Sequence, residues 1–296
     1  MDPLKSAIVV IGIALGGCAL LLPGQPPTEL PTAPLANAGQ DVTGAFEGWF
    51  KNSDGTISLL VGYFNRNMKQ ELDIPVGPNN HIDPGGPDQG QPTHFLPRRQ
   101  WGVFAITVPK DFGEKKLTWT IVTNGRSDTI PLSLNPLWEI SPFKEESMNN
   151  TPPYVAFDPN GPFQSGPRPL MRTATVTMPD PLALSVWASD DAKVLEGAKK
   201  PPVGPPLSLT WCMLRGPGKV TFSKDKPTLE KEEFKAPGDP KVQGKATTTA
   251  TFSTPGEYLL RVVANDWSGD GGRGFQCCWT NALVKVSVKP APAAAK

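Results

Sequence analysis

Apolar and polar residues alternate along most of the chain after residue 40. In the stretch GEYLLRVVA, for example, Tyr258, Leu260 and Val262 fall on one side of an extended chain. A period of two residues is that of a β-strand with one buried face. The dipeptides Asp-Gly at 54–55 and Asn-Gly at 124–125 stand between such stretches and favour hairpin turns. The pattern therefore predicts an all-β protein.

Residues 39–140 are interpreted as a first β-sandwich domain. The stretches that predict strands are residues 45–50, 56–64, 101–108, 117–123 and 126–132. Between them, residues 75–97 are rich in Pro, Gly, Asn and Gln, which predicts a long irregular loop. Loops of this length in compact domains are usually functional or mobile.

Residues 154–288 predict a second β-sandwich domain. Its predicted strands are residues 172–178, 182–188, 207–214, 219–222, 246–252, 256–264 and 280–288. Seven short strands separated by turn signals are typical of an immunoglobulin-like sandwich. Residues 141–153 are interpreted as a polar linker and residues 289–296 as a disordered tail. The fold class is thus two immunoglobulin-like β-sandwich domains in tandem.

Composition and charge narrow the choice of partners. The chain has 296 residues, with 29 Lys+Arg against 28 Asp+Glu, so it lacks the basic excess expected of a nucleic-acid binder. Its 29 Gly and 35 Pro disfavour long helices, and a hydrophobic content of 38% is too high for a chain disordered throughout.

The amino-terminal residues 1–22 predict an export signal. Residues 6–22 form an uncharged apolar run, and the Pro-rich residues 23–38 follow as a spacer. The sequence Leu15-Gly16-Gly17-Cys18 resembles the bacterial lipobox, which implies lipidation at Cys18. Cleavage after Ala38, in the pattern Ala36-Asn37-Ala38, and an uncleaved membrane anchor are the alternatives. We expect an extracytoplasmic protein of the bacterial cell envelope, in the periplasm or on the outer surface, held at the membrane by a lipid or a helix.

Several motifs of the second domain occur in the order found in a known family. They are LTW at 209–211, RGPGKVTF at 215–222, STPGEY at 253–258 and LRVVAND at 260–266. Together they resemble the polycystic-kidney-disease (PKD) repeat. The resemblance implies that Trp211 fills the centre of the sandwich. Because members of that family are mostly spacers and adhesive modules, it also implies a binding or scaffolding role without catalysis.

Four aspartates are predicted to lie near one pole of this sandwich. Loops after the second and sixth strands of such a fold emerge together, and here they carry Asp190, Asp191, Asp266 and Asp270. Carboxylates grouped in this way suit Ca²⁺, which is the one cofactor that the sequence suggests. The alternative is that these residues only stabilise turns.

Cysteine usage predicts one disulfide bond, because exported chains are usually oxidised. In immunoglobulin-like sandwiches the strands that carry Cys212 and Cys278 are neighbours, so we expect Cys212 to pair with Cys278 or with Cys277. A bond between the adjacent Cys277 and Cys278 is the alternative. Zinc is not expected, since the chain has no Cys-x-x-Cys pair.

No common catalytic motif is present, and the two histidines of the chain, His81 and His94, both fall in the predicted loop with Asp83 and Asp88. These four residues suit a metal or an acid–base pair, or they stabilise the turns of the loop. Aromatic rings with polar neighbours also predict a glycan-binding surface, against the alternative that the rings fill the core. The candidate binding residues are Asn65, Asn67, His94, Arg98, Arg99 and Trp101.

The expected function is that of an exported, envelope-tethered, non-enzymatic binding or structural protein. Its loops, in particular residues 75–99 and 267–276, would contact a protein or a glycan at the cell surface. Pairing of exposed strand edges with partners or with further copies of the chain is also open. The alternatives are a polysaccharide hydrolase or its accessory carbohydrate-binding subunit, and a subunit of an extracellular filament.

Overall fold

The computed structural model describes residues 36–146, 149–193, 205–266 and 277–292. The predicted leader with Cys18, most of the spacer and the loop 267–276 lie outside these residues. Residues from Leu35 onward form one compact unit. Within the described part, no helix is long and apolar enough to cross a membrane.

Seventeen strands and one short 3₁₀ helix, Pro136–Trp138, make up the described secondary structure. The strands are β1 (Val42–Lys51), β2 (Ile57–Asn65), β3 (Leu72–Asp73), β4 (Asn80–Asp83), β5 (His94–Phe95), β6 (Arg98–Val108), β7 (Lys116–Thr123), β8 (Arg126–Ser133), β9 (Tyr154–Ala156), β10 (Gln164–Ser165), β11 (Leu170–Thr177), β12 (Leu182–Asp190), β13 (Leu207–Arg215), β14 (Val220–Phe222), β15 (Val242–Phe252), β16 (Gly256–Asp266) and β17 (Trp279–Lys289). The prediction of an all-β, sandwich-type fold is confirmed.

The described strands form four sheets of three to five strands. Their strand orders are β4-β7-β8, β1-β2-β6, β11-β17-β16-β13 and β10-β9-β12-β15-β14, and β3 and β5 form a small fifth sheet. Neighbouring strands run antiparallel except for the parallel pair β11–β17. The first two sheets enclose one apolar core and the last two enclose another.

The two sandwiches share an apolar contact. On β2, Leu59 and Val61 point into the first core, whereas Leu60 packs with Val263 of β16 and Trp279 of β17. Strand β2 is therefore buried on both faces, as its continuous apolar sequence LLV allows. The sheets β1-β2-β6 and β11-β17-β16-β13 thus pack against each other.

Two segments that the sequence assigned to loop and linker are packed. The predicted irregular loop 75–97 contains β4 and β5, and Phe95 is fully buried in the first core. In the predicted linker 141–153, Phe143 packs against the contact between the sandwiches and Asn150 is completely buried. Both segments help to hold the sandwiches together, a role that depends on distant residues and leaves no local pattern.

Candidate functional site

Two aspartates close one end of the second core. Every second residue of β12 and of β16 faces the core. The last two inward residues are Ala188 and Asp190 on β12, and Ala264 and Asp266 on β16. Since β12 and β16 belong to the two facing sheets, both carboxylates lie at the same pole of the sandwich. They are 3% and 4% exposed. The ends of the two strands therefore lie at one pole, while most of the loops that follow them, residues 194–204 and 267–276, lie outside the described residues.

Residues 150 and 151, the segment just before β9, donate hydrogen bonds to carboxylates at this pole. Asn150 Nδ2 donates to Asp266 Oδ2 at 2.5 Å, and Thr151 Oγ1 donates to Asp191 Oδ2 at 3.0 Å. The backbone N–H of Ala192 donates to Asp190 Oδ2 at 2.6 Å. The segment and the ends of both strands therefore form one polar cluster.

Three oxygens of this cluster lack hydrogen-bond donors within the described part of the chain. They are Asp190 Oδ1, Asn150 Oδ1 and Ser189 Oγ, and each belongs to a buried side chain. Burial raises the pKa of Asp190 to about 7, against the Ala192 hydrogen bond that lowers it, and the nearby carboxylates of Asp266 and Asp191 raise it further. A cation lies close by, since Lys193 Nζ is 3.3 Å from Asp191 Oδ2. A buried acceptor without a donor is costly, so the pole has unused capacity to bind a donor or a cation.

A cavity of about 400 Å³ opens onto the cluster. Its charged lining residues are Asp190, Asp191, Lys193, Asp239 and Lys241. Lys241 Nζ is held by Asp239 Oδ2 at 2.7 Å. The cavity provides a route by which a small solute can reach Asp190 from solvent.

The predicted calcium-binding aspartates are only partly brought together. Asp190 and Asp266 face the same pole, whereas Asp191 binds Thr151 and lies 3.3 Å from Lys193 Nζ. Asp270 lies outside the described residues. Among the residues that the structure does describe, no three His, Cys, Asp or Glu side chains converge as a metal-binding group.

The predicted pairing of Cys212 with Cys278 or Cys277 is wrong, because Cys277 bonds to Cys278 and Cys212 is a free thiol. Strand β16 lies between β13 and β17, so the two strands are not neighbours. Cys212 pairs in register with Arg261, whereas Cys278 lies beside Asp266, about 17 Å further along the sheet. A disulfide needs Cα atoms within about 7 Å.

Three of the six candidate glycan-binding residues have structural roles instead. Asn65 and Asn67 are completely buried, and Asn65 Nδ2 donates to the carbonyl oxygens of Gln70 and Phe95. His94 is 7% exposed, with Nδ1 at 2.8 Å from Asp73 Oδ1. Because these side chains satisfy the backbone and each other inside the fold, they do not form an exposed binding surface.

Half-buried Arg98, Arg99 and Trp101 remain candidates for binding. Arg98 and Arg66 both place their guanidinium groups against the Phe64 ring, at 5.0 and 5.7 Å from its centre. Arg99 lies 3.7 Å from the centre of the Trp101 ring. This surface of Phe64, Arg66, Arg98, Arg99 and Trp101, called the arginine–aromatic surface below, combines apolar rings with cations.

The four polar residues of the predicted loop do not form one site. His81 Nε2 pairs with Asp83 Oδ2 at 3.3 Å on β4, whereas His94 on β5 pairs with Asp73 in a different sheet. Asp88 accepts two hydrogen bonds from Arg215 of the second sandwich, at 2.8 and 3.0 Å. The loop is therefore fastened to the second sandwich.

A second polar cluster, which the sequence reading missed, lies between the sandwiches and begins at two β-bulges. Glu47 is the extra residue of a bulge in β1, and Gly102 lies in a bulge of β6. Gly62 of β2 separates them and has no side chain, so the Glu47 carboxylate crosses β2 and accepts from Gly102 N–H at 2.7 Å. Arg99 Nη2 donates to the other carboxylate oxygen, also at 2.7 Å. Burial raises the pKa of Glu47, and Arg99 opposes that rise.

Arg261 completes this interface cluster from the second sandwich. Its side chain is 4% exposed and donates to the carbonyl oxygens of Trp101 and Gly102 at 3.0 and 3.1 Å. It also donates to Asn281 Oδ1 at 2.7 Å, while Asn281 Nδ2 donates to Gly102 O at 2.7 Å. The carbonyls freed by the β6 bulge are thus satisfied by the neighbouring sandwich. An arginine in an otherwise apolar strand is the signal that could have indicated such a role.

Comparison with known proteins finds weak structural likenesses. No protein family matches the sequence, and no curated protein does either. A protein of unknown function from Porphyromonas gingivalis W83 is similar over 83% of this chain and 99% of its own, with 10% identity and a TM-score of 0.22. Cadherin-like domains 1 to 4 of zebrafish RET are similar over 76% of this chain and 46% of their own, with 14% identity and a TM-score of 0.25. These TM-scores are too low to bear on function.

Proposed function

We propose that this protein is an exported, membrane-tethered binding module that acts without catalysis and contacts an acidic glycan at the cell surface. The observation that carries the proposal is the arginine–aromatic surface, where Arg66 and Arg98 flank the Phe64 ring. Aromatic rings pack against sugar faces, and guanidinium groups bind carboxylates in a fixed geometry. Both arginines lack a carboxylate partner within 4.0 Å among the described residues.

The packing of the two sandwiches supports a binding or structural role. Arg261 and Asn281 of the second sandwich donate buried hydrogen bonds to carbonyl oxygens of Trp101 and Gly102 in the first, next to the arginine–aromatic surface that includes Trp101. The resemblance of residues 173–288 to PKD repeats, and the apolar leader with Cys18, also fit a tethered spacer or adhesive protein.

Binding to alginate, an acidic polysaccharide, tests the glycan partner. We expect the full chain to bind alginate but not neutral dextran, and Arg66→Gln with Arg98→Gln to weaken that binding at least about tenfold. Arg126→Gln is the matched control, because Arg126 is exposed but already pairs with Asp41 at 3.1 Å. Equal binding by both variants, or no binding to alginate, would contradict the proposed glycan partner.

Fractionation tests the tether. Because lipidation at Cys18 would anchor the chain, Cys18→Ala is expected to move the protein from the membrane fraction to the soluble fraction. If the variant remains with the membrane, the lipid anchor is disproved and the apolar segment itself holds the chain.

A further inference from the structure

The pole of the second sandwich contains buried oxygens that no group of the described chain satisfies. Asp190 Oδ1 and Asn150 Oδ1 have no hydrogen-bond donor, and their residues are 3% and 0% exposed. By contrast, most buried polar atoms in folded proteins have a partner. These two unpartnered oxygens, next to the carboxylate of Asp266, leave capacity for a further donor or a cation.

We propose that this pole binds one hard divalent cation, Ca²⁺, with Asp190 Oδ1 and Asn150 Oδ1 as ligands and Asp266 as the second carboxylate. All three side chains bear oxygen, the ligand atom that Ca²⁺ prefers. Asn150 Nδ2 donates to Asp266 Oδ2, which fixes the amide beside that carboxylate and leaves its oxygen available.

The coordination shell would be completed by water and backbone carbonyl oxygens. Ca²⁺ takes six to eight oxygen ligands, and two carboxylates with one amide supply only part of them. The cavity of about 400 Å³ that opens at Asp190 provides room for water and a path for the ion. Such an incomplete set favours weak binding, with Kd on the order of 10⁻⁴ to 10⁻³ M, as in extracellular modules.

The electrostatics of the pole fit a cation better than a structural hydrogen bond. Burial raises the pKa of Asp190, and the carboxylates of Asp266 and Asp191 add to that rise. A bound cation would reverse both effects, since it stabilises the ionised carboxylate at close range. The site is independent of the arginine–aromatic surface, which lies on the first sandwich.

Isothermal titration of CaCl₂ into the full chain at pH 7.5 tests the site. We expect the chain to bind one Ca²⁺ per molecule and Asp190→Asn to weaken that binding more than about tenfold. Asp239→Asn is the matched control, because Asp239 lines the same cavity but is exposed and paired with Lys241. Failure of the unaltered chain to bind Ca²⁺, or unchanged binding in Asp190→Asn, would overturn the proposal.

A measurement in chelator separates loss of the site from loss of the fold. Without Ca²⁺, Asp190→Asn is expected to melt at or above the temperature of the unaltered chain, because the amide removes a buried carboxylate next to two others. A lower melting temperature for Asp190→Asn in chelator would mean that the fold stabilises this carboxylate without a cation, beyond the Ala192 hydrogen bond that an amide oxygen can also accept, and it too would overturn the proposal.

Discussion

Two buried polar clusters of this protein differ in how completely their hydrogen bonds are satisfied. In the interface cluster, Arg261 donates to Asn281 Oδ1 and to two carbonyls, and Glu47 accepts through both carboxylate oxygens. In the pole cluster, Asp190 Oδ1 and Asn150 Oδ1 have no donor among the described residues. A buried acceptor without a donor lowers the stability of the fold, whereas a satisfied one does not. The first cluster therefore stabilises the fold, and the second is suited to binding.

The largest expected effect comes from breaking the interface cluster. Arg261→Met would leave the carbonyls of Trp101 and Gly102 without a donor and remove a cation near the buried Glu47. We expect the free energy of unfolding to fall by about 3–5 kcal/mol, as for other broken buried charge clusters. Urea unfolding measures this free energy. Arg126→Met, on an exposed arginine, should change it by less than about 0.5 kcal/mol, and similar losses in both would contradict the assignment.

The pole cluster should instead make stability depend on pH when a chelator is present. The pKa of Asp190 is raised to about 7 in the folded chain from an ordinary value of 3.8. Between these values the folded chain holds a proton that the unfolded chain has lost, so the free energy of unfolding falls as pH rises from about 4 to about 7. Over this pH range the free energy of unfolding of the unaltered chain should fall by about 2–4 kcal/mol more than that of Asp190→Asn. Urea unfolding at pH 4, 5.5 and 7 checks this, and parallel curves for both proteins would contradict it.

Crowding at Gly62 should weaken the interface cluster by an intermediate amount. In Gly62→Ala the new Cβ would meet the Glu47 carboxylate, the Gln100 carbonyl and Arg99. We expect a loss of about 1–3 kcal/mol in urea unfolding. Glu47→Ala would remove one of these three contacts, so the double variant should lose less than the sum of the two single losses. Strict additivity would show that Glu47 does not cross β2 as described.

The smallest expected effect is at the exposed contact between the loop and the second sandwich. Arg215 holds the pKa of Asp88 below its usual range through two hydrogen bonds. Because the Asp88 side chain is 53% exposed, Asp88→Asn should cost only about 0.5–1 kcal/mol at neutral pH. A lowered pKa means that this contribution is lost as pH falls below about 4. If the free energies of unfolding of the unaltered chain and of Asp88→Asn still differed at pH 3, the role of the ionised carboxylate would be contradicted.

Local patterns predicted the strands and one of the two clusters. The two-residue alternation in β16 and the seven strands predicted for the second sandwich are properties of neighbouring residues. The seven strands appear in the structure as β11 to β17, and the structure adds the short strands β9 and β10. The meeting of Asp190 and Asp266 followed from the ends of β12 and β16. These features need only the local period and the general layout of a sandwich.

Features that depend on distant residues were not predicted. The interface cluster needs bulges at Glu47 and Gly102, and a bulge is a mismatch between two strands that neither sequence shows alone. The disulfide was misjudged because the position of β16 between β13 and β17 sets which cysteines can meet. Asn150 was assigned to the predicted linker, since its contacts are with Asp266 and Cys278, which are far away in the sequence.

The melting temperature with Ca²⁺ and with chelator, measured for the unaltered chain, Gly62→Ala and Asp190→Asn, tests the difference between the clusters most directly. We expect saturating Ca²⁺ to raise the melting temperatures of the unaltered chain and of Gly62→Ala equally, by about 5 °C, and to leave that of Asp190→Asn unchanged. An equal rise in all three proteins, or no rise in any of them, would contradict this expectation.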